Sequence, residues 1–342
     1  MKSRAYLMTV ISLLAGLALF VYVIRQAGWQ ELLERVRSAG PGFAWLILVS
    51  GLRPVMRAWA WLRCMPVADR RVGFFTVWRA RLIGDAIGNL TTAGPLLAEP
   101  ARLVFFSGRL PFAHAASSLS LEILSYLLSC GVMMIAGALL LLVGFALSPT
   151  LRTISLATLA GLLVLLAVAA MVLIQRWSPV SIARRLLRRL IGQRRSGRWL
   201  DHQLHHLYRI ESHTLNFYRR RPRDFALLGL CEAGFHLLGV LEIWIMLRLL
   251  GEPPGLMAAF IFEALNRLIN IVFAFVPLKI GVDEAGTRLL AAALGFGALS
   301  GVTMAVYRKL RMLFWTLLGL LLLALPNQRR AALKTDAGNV AD

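Results

Sequence analysis

"ILSYLLSCGVMMIAGALLLLVGFAL", residues 123–147, runs for 25 residues without an acid, a lysine, an arginine or a histidine. A helix needs about 20 predominantly apolar residues to cross the hydrocarbon core of a bilayer, so this stretch reads as a membrane span. Two further windows, 5–24 and 153–175, are equally free of charge. The whole chain of 342 residues is 58% hydrophobic, with a mean hydropathy of +0.68, too apolar for a soluble domain of this length. Unbroken apolar runs exclude a β-barrel, whose signature is short alternating segments. The class is all-α, a polytopic transmembrane helix bundle of about 8 spans.

Working outward, spans are expected near 5–24, 42–62, 117–147, 153–175, 225–250 and 255–276, with a C-terminal pair between about 287 and 326. The first run is longer than a signal-peptide core of about 7–15 residues and leaves through "VYVIRQAGW" without a small-residue cleavage site, so it reads as a retained span. Cys64, Cys130 and Cys231 are widely separated, which fits small apolar residues in helices better than a disulfide or metal framework.

The net charge of +21 raises a nucleic-acid reading, but its distribution argues against one. Thirteen arginines and two acids lie between Arg176 and Arg223, between apolar blocks, and further basic residues precede the first span and follow the last. Short basic loops mark the cytoplasmic side, so both termini and the loop 177–223 are expected inside. Anionic phospholipid headgroups are the expected partners of that loop. It divides the chain into an N-terminal half, 1–176, and a C-terminal half, 224–342. Within it "WLDHQLHHLYRIESHTLNFY" has the spacing of an amphipathic helix. His202 and His206 are four apart, but no carboxylate or thiolate is placed to complete a metal site, and no cofactor is called for.

The acids inside or beside apolar sequence are the informative residues: Asp85, Glu99, Glu122, Glu232, Glu242, Glu263, Asp283 and Glu284. A charge at the bilayer centre costs at least about 2.5–3.5 kcal/mol, so each must be paired or face a polar cavity. Helical spacing offers Arg81 to Asp85, Arg102 to Glu99, Arg267 to Glu263 and Arg288 to Glu284. Arg53 and Arg57 have no acid nearby in sequence and must find partners elsewhere. Any single pair could be a structural staple.

These charges fall into a repeated pattern. "AGPLLAEPARL" carries Pro95, Glu99 and Arg102 and leads into an apolar helix with Glu122. "VPLKIGVDEAG" carries Pro277, Lys279, Gly281 and Glu284, followed by Arg288, and leads into a helix with Tyr307, Arg308 and Arg311. Broken backbone at membrane depth is tolerated where it lines a cavity, and two such breaks in corresponding positions of two halves point to a transporter's site. Each is expected to be a re-entrant or broken helical segment, with Glu99, Arg102, Glu284 and Arg288 converging on one pocket. "GDAIG" (Gly84–Gly88) and "GALSG" (Gly297–Gly301) have the spacing for close helix contact.

"WRARLIGDAIGNLTTAGPLLAEPARL" and "FEALNRLINIVFAFVPLKIGVDEAGTRLLAAALG" resemble the paired motifs of the lysylphosphatidylglycerol synthase transmembrane (flippase-like) superfamily, nearest the hopanoid-cluster-associated membrane proteins. The resemblance covers roughly residues 5 to 326 and implies a multi-spanning protein of the bacterial inner membrane. In bifunctional resistance factors of this type the region is linked to flipping aminoacylated phospholipid made by a separate soluble domain. This sequence, through Asp342, is expected to lack that domain. Pro95, Glu99 and Arg102 match the first motif, with Ala98 where a glycine is usual. Pro277, Gly281 and Glu284 match the second, with Leu278 and Lys279 where two glycines are common. Lys279 is suited either to an anionic headgroup or to the interface.

The expected function is movement of a lipid with an anionic or polar headgroup, a (glyco)lipid or a hopanoid-type lipid, between leaflets. Arg102, Arg288, Arg308 and Arg311 would hold the headgroup. Glu99, Glu122, Glu263 and Glu284 would gate or proton-couple it, and Arg267 would pair with Glu263. The alternatives are a membrane-embedded lipid-modifying transferase, for which no nucleotide loop or catalytic triad is evident, and a scaffold of a lipid-synthesis complex. Contact with lipid-synthesis enzymes and assembly as a homodimer stay open. The topology has its own test: cysteines placed in 177–223 should react with membrane-impermeant thiol reagents from the cytoplasmic side, and labelling from the other side overturns the assignment.

Overall fold

The computed structural model describes residues 30, 34, 37–91, 94–174, 221–253, 255–273, 276 and 281–325. Every regular element among them is a helix: α1 (Gly42–Cys64), a short 3-10 turn (Val67–Val72), α2 (Phe74–Leu90), α3 (Gly94–Phe105), α4 (Phe112–Gly144), α5 (Pro149–Ile174), α6 (Pro222–Leu249), α7 (Leu256–Val272), α8 (Val282–Ala293) and α9 (Ala298–Ala324). The expected all-α bundle is what forms. By length and composition α4, the first 20 residues of α5, and α6 are long and apolar enough to cross a membrane. Leucines and valines on their outer faces, among them Val143, Leu165 and Leu230, are exposed, as lipid-facing side chains are. The expected first span, the basic loop with His202 and His206, Pro277 and Lys279 lie outside the described residues.

The sequence reading differs from the structure most around the first motif. α2 and α3 are two separate helices, 17 and 12 residues long. α2 stops where Thr91 turns extended, its hydroxyl bonded back to the Ile87 carbonyl at 3.0 Å. Pro95 falls in the first turn of α3, where a missing N–H has no partner to lose, so the proline opens a helix instead of interrupting one. The second motif has matching lengths: α7 has 17 residues and α8 has 12. α8 begins at Gly281, which is buried with φ of +81°, a conformation that favours glycine. Its N–H donates to the Glu284 carboxylate at 2.7 Å, satisfying a free donor of the helix start. Asp283 and Glu284 thus sit in the first turn of α8, where the helix dipole favours negative charge.

Packing follows the same correspondence. α1 lies along α6; α2 packs on α9 as α7 packs on α4; α3 packs on α2 as α8 packs on α7, and α8 also packs on α9. Small residues set these approaches. A side-chain carbon at Gly319 of α9 would stand 2.4 Å from the Leu82 carbonyl of α2, and one at Gly137 of α4 would stand 2.4 Å from Ala264 of α7. Of the two glycine pairs singled out in the sequence, Gly84 and Gly88 face α3 and Gly301 faces α8 at close quarters, whereas Gly297 has ordinary room. Gly51 leaves space for the Trp315 ring, whose indole donates to Ser50 at 2.8 Å across α1 and α9.

Polar ties close one end of the bundle. Arg70 donates to the Arg63 carbonyl at 2.8 Å and to Asp224 at 2.5 Å, and Arg221 reaches the Met65 carbonyl at 3.1 Å, so the end of α1 is bound to the start of α6. Arg79 of α2 donates to the Leu322 and Leu325 carbonyls, satisfying acceptors left over at the end of α9. Because the obstacle at Gly319 is backbone, Gly319→Ala is expected to push α2 and α9 apart at a cost of about 1–3 kcal/mol. Thermal unfolding in detergent should show a lowered midpoint; an unchanged midpoint contradicts the packing.

Candidate functional site

The helical period decides which charges can meet. Arg53 and Arg57 lie four apart on α1, Glu232, His236 and Glu242 recur along one face of α6, and Glu122, Tyr126 and Ser129 do the same on α4. Glu263 and Arg267 add a turn of α7, and Arg308 and Arg311 a turn of α9. The bundle brings these faces together.

Glu122, fully buried, stands at the meeting of three helices. It is 2.8 Å from Arg57 of α1 and 2.9 Å from Arg81 of α2. Arg57 also approaches Glu232 at 3.7 Å. Arg53 reaches Glu242 at 3.3 Å and Glu263 at 2.9 Å, Arg267 pairs with Glu263, and Arg311 pairs with Glu242. Two aromatic rings join these pairs into one body. The guanidinium of Arg57 lies 3.7 Å above the Tyr126 ring, and Arg53 and Arg267 lie 4.4 and 4.8 Å from the Phe235 ring. Arg267 donates to the Tyr126 hydroxyl at 3.0 Å. Among the described residues five arginines thus face four glutamates in the bundle interior, with the aromatic faces spreading the surplus positive charge.

Two smaller networks flank this centre. At α2 and α3, Arg102 bridges Asp85 and Glu99. Gly84 makes the bridge possible, since a side-chain carbon there would collide with the Arg102 stem. At α8 and α9, Arg308 donates to Asp283 at 2.8 Å and to Thr287, and Lys309 stands 2.8 Å from Glu284.

Several sequence expectations change here. Arg81 pairs with Glu122, and Asp85 with Arg102, because α3 and α4 bring closer partners than the helix's own next turn. The charged partner of Glu284 is Lys309, which the sequence reading did not select. The motif residues Glu99, Arg102 and Glu284 are each paired beside their own helix. What joins the two halves is contact between long helices, Arg53 with Glu242 and Glu263, Arg57 with Glu232, Arg311 with Glu242. Of the candidates, Glu122, Glu263, Arg267 and Arg311 belong to the centre, Arg308 and Glu284 to the α8–α9 network, and Arg102 and Glu99 to the α2–α3 network. Arg288 lies on α8, half-buried. Tyr307 is fully buried in the apolar core, its ring on that of Phe43. The reading missed Arg53, Arg57 and Arg81 as site residues, together with Glu232, Glu242, Tyr126, Phe235 and Lys309. Arg53 and Arg57 carried the signal: two arginines without a local acid in an apolar run require a distant counter-charge.

Chemically, the centre is a set of guanidinium donors held ready by carboxylates. Among the described residues, Arg57 Nη1 and Arg308 Nη1 are buried without a hydrogen-bond acceptor, and Glu122, Glu232 and Glu242 each keep one buried oxygen without a donor. Such spare valences suit an oxyanion that takes over donors from the carboxylates.

The family model described as the lysylphosphatidylglycerol synthase TM region matches residues 9–322, which includes every helix just described except the last turn of α9. Comparison with curated proteins and with solved structures finds no match.

Removing one partner of a buried pair costs about 3–5 kcal/mol because the other charge stays behind. Glu122→Leu strands both Arg57 and Arg81 and should be the most destabilising single change in the centre. Arg81→Leu with Glu122→Leu should recover part of the loss in a thermal-stability cycle; strict additivity contradicts the pairing.

Proposed function

Since the chain belongs to the lysylphosphatidylglycerol synthase transmembrane family, and is by that membership and its apolar helices a multi-pass membrane protein, we propose that it moves a lipid with an anionic or polar headgroup, of (glyco)lipid or hopanoid type, between the leaflets of the bacterial inner membrane. The observation that carries the reading is the surplus of guanidinium in the bundle interior: Arg53, Arg57, Arg81, Arg267 and Arg311 against Glu122, Glu232, Glu242 and Glu263. Burying a guanidinium is costly, and placing more of them than carboxylates in an apolar bundle makes sense where an anion arrives to complete the set. A phosphate or phosphodiester offers two oxygens that the planar guanidinium fork of arginine binds bidentately.

Matching helices supply a path. α1, α2, α3 and α4 match α6, α7, α8 and α9 in order, the contacts of α2 with α3 and α9 being answered by those of α7 with α8 and α4. We read this as an internal repeat whose short helices, α3 and α8, are the broken segments on either side of the central charges. The headgroup would pass through the centre while its tails stay in hydrocarbon. Arg102 and Arg308, in the flanking networks, would then be the first and last cations it meets, with Arg288 of α8 bordering the same route.

The test is reconstitution. Liposomes holding the purified protein and a trace of fluorescently labelled phosphatidylglycerol are treated with dithionite, which bleaches the outer leaflet alone. Wild-type protein should expose the inner-leaflet pool. Arg311→Gln, which loses one charged contact of about 1.5–3 kcal/mol, should slow exposure about ten- to a hundredfold while the protein remains folded. Bleaching that stops at half in the wild-type vesicles contradicts transport of this class. A new lipid mass in extracts of expressing cells would favour a transferase instead.

A further inference from the structure

Glu232 differs from the other carboxylates of the centre. Glu122 and Glu263 each accept two arginines at 2.9 Å or less, Glu242 is held by Arg53 and Arg311, and Glu284 has Lys309. Glu232 is 4% exposed, and among the described residues its ion pair is with Arg57 at 3.7 Å, beyond hydrogen-bonding distance. What it does have is a hydroxyl: Ser129 of α4 stands 3.3 Å from Glu232 Oε2. The same Ser129 oxygen is 2.9 Å from His236 Nε2, one turn further along α6. Ser129 has one proton and two acceptors for it, the Tyr126 carbonyl at 2.8 Å and Glu232. The second ring nitrogen, His236 Nδ1, is buried without a hydrogen-bond partner among the described residues.

We propose that Glu232, served through Ser129 and His236, is the proton-binding site that couples occupation of the arginine cluster to protonation, an inference that rests on the anionic-headgroup reading above. The proton count balances along the row. Protonation of His236 at Nδ1 releases the Nε2 proton to the Ser129 oxygen, and the Ser129 proton passes to Glu232 Oε2. Return of the ring to its first tautomer resets the relay. Protonated Glu232 no longer competes for Arg57, whose Nη1 is then free to bind the anion.

The surroundings make this carboxylate sensitive to that exchange. It faces Arg57 from α1, Arg81 from α2, Glu122 and Ser129 from α4, and the thiols of Cys64 and Cys231. His236 faces Arg53 and Arg57 from α1, Glu263 and Arg267 from α7, and Ser129 from α4. Glu122 beside Glu232 disfavours two negative charges, and an anion on Arg57 adds a third. Binding of the anion and binding of the proton therefore promote one another, and by linkage the effect is reciprocal.

The experiment measures short-chain phosphatidylglycerol binding to the purified full chain in detergent, across pH, with a pH indicator reporting proton uptake. Wild-type protein should take up about one proton per lipid and tighten by up to about tenfold per pH unit lowered while Glu232 titrates. Glu232→Gln should still bind, with neither uptake nor pH dependence. Ser129→Ala, which keeps the carboxylate, should leave the stoichiometry intact and slow the uptake after rapid mixing. Wild-type binding without proton uptake overturns the proposal and leaves the headgroup reading standing, whereas no binding at all overturns both. Uptake that persists in Glu232→Gln assigns the proton elsewhere, and a wild-type rate in Ser129→Ala overturns the relay. If Glu232→Gln does not fold, Ser129→Ala still decides the relay.

Discussion

Arg53 and Arg57 of α1 are the constraint from which the rest of this bundle follows. Two guanidiniums four residues apart in an apolar helix cannot be left without counter-charge, and nothing in their own helix supplies one. Their acids come from α4, α6 and α7, at Glu122, Glu232, Glu242 and Glu263. To deliver those contacts α1 must lie along α6 and within reach of α4 and α7, which fixes the order of helices around the centre. The apolar side chains supply contact area but little direction, since lipid tails solvate leucine as well as a neighbouring helix does. Direction comes from the ion pairs.

Glycines and small side chains then make the geometry attainable. α2 and α9 approach through Gly319, α4 and α7 through Gly137, and Gly239 of α6 leaves room for the Glu263 carboxylate, which would stand 2.3 Å from an added carbon. Gly84 does the same for Arg102. The space is occupied by the partner backbone at Gly319, by the Ala264 methyl at Gly137, and by a charged side chain on its way to its partner at Gly239 and Gly84. Close packing and charge pairing are therefore one requirement in this protein, because an arginine held a few ångströms further off would forfeit most of its contact in a poorly solvated interior.

The class of fold was legible because hydrocarbon imposes a length and a composition, and residues 123–147 meet both without ambiguity. The list of buried acids was legible for the same reason. Pairing was not. Sequence spacing offered Asp85 to Arg81, whereas the structure sets Arg81 against Glu122, and it adds Lys309 as a partner of Glu284. A partner four residues away on the same helix is always geometrically available, but a partner on a facing helix can approach head-on in a drier place, and that contact wins. Arg267 with Glu263 survived because α7 turns both toward Arg53 and Tyr126. The α2–α3 break was misjudged for a local reason: Pro95 reads as an interruption in a string of letters, but the helix it belongs to starts one residue before it.

The balance of charge across the three networks carries the argument one step further. The centre holds one more arginine than it has glutamates. The α8–α9 network is even, Arg308 and Lys309 against Asp283 and Glu284. The α2–α3 network has one acid in excess, Asp85 and Glu99 against Arg102, and these two carboxylates are the more exposed, at 43% and 30% of their side-chain surface. Among the described residues, the ion pairs of the three networks thus sum to zero but are unevenly distributed, positive in the buried centre and negative at the more exposed flank. On the proposed reading, a headgroup with a single negative charge is drawn to the one place where its arrival removes an imbalance. A fully neutral centre would leave it nothing to compensate, and a centre with several spare arginines would hold it too firmly to release.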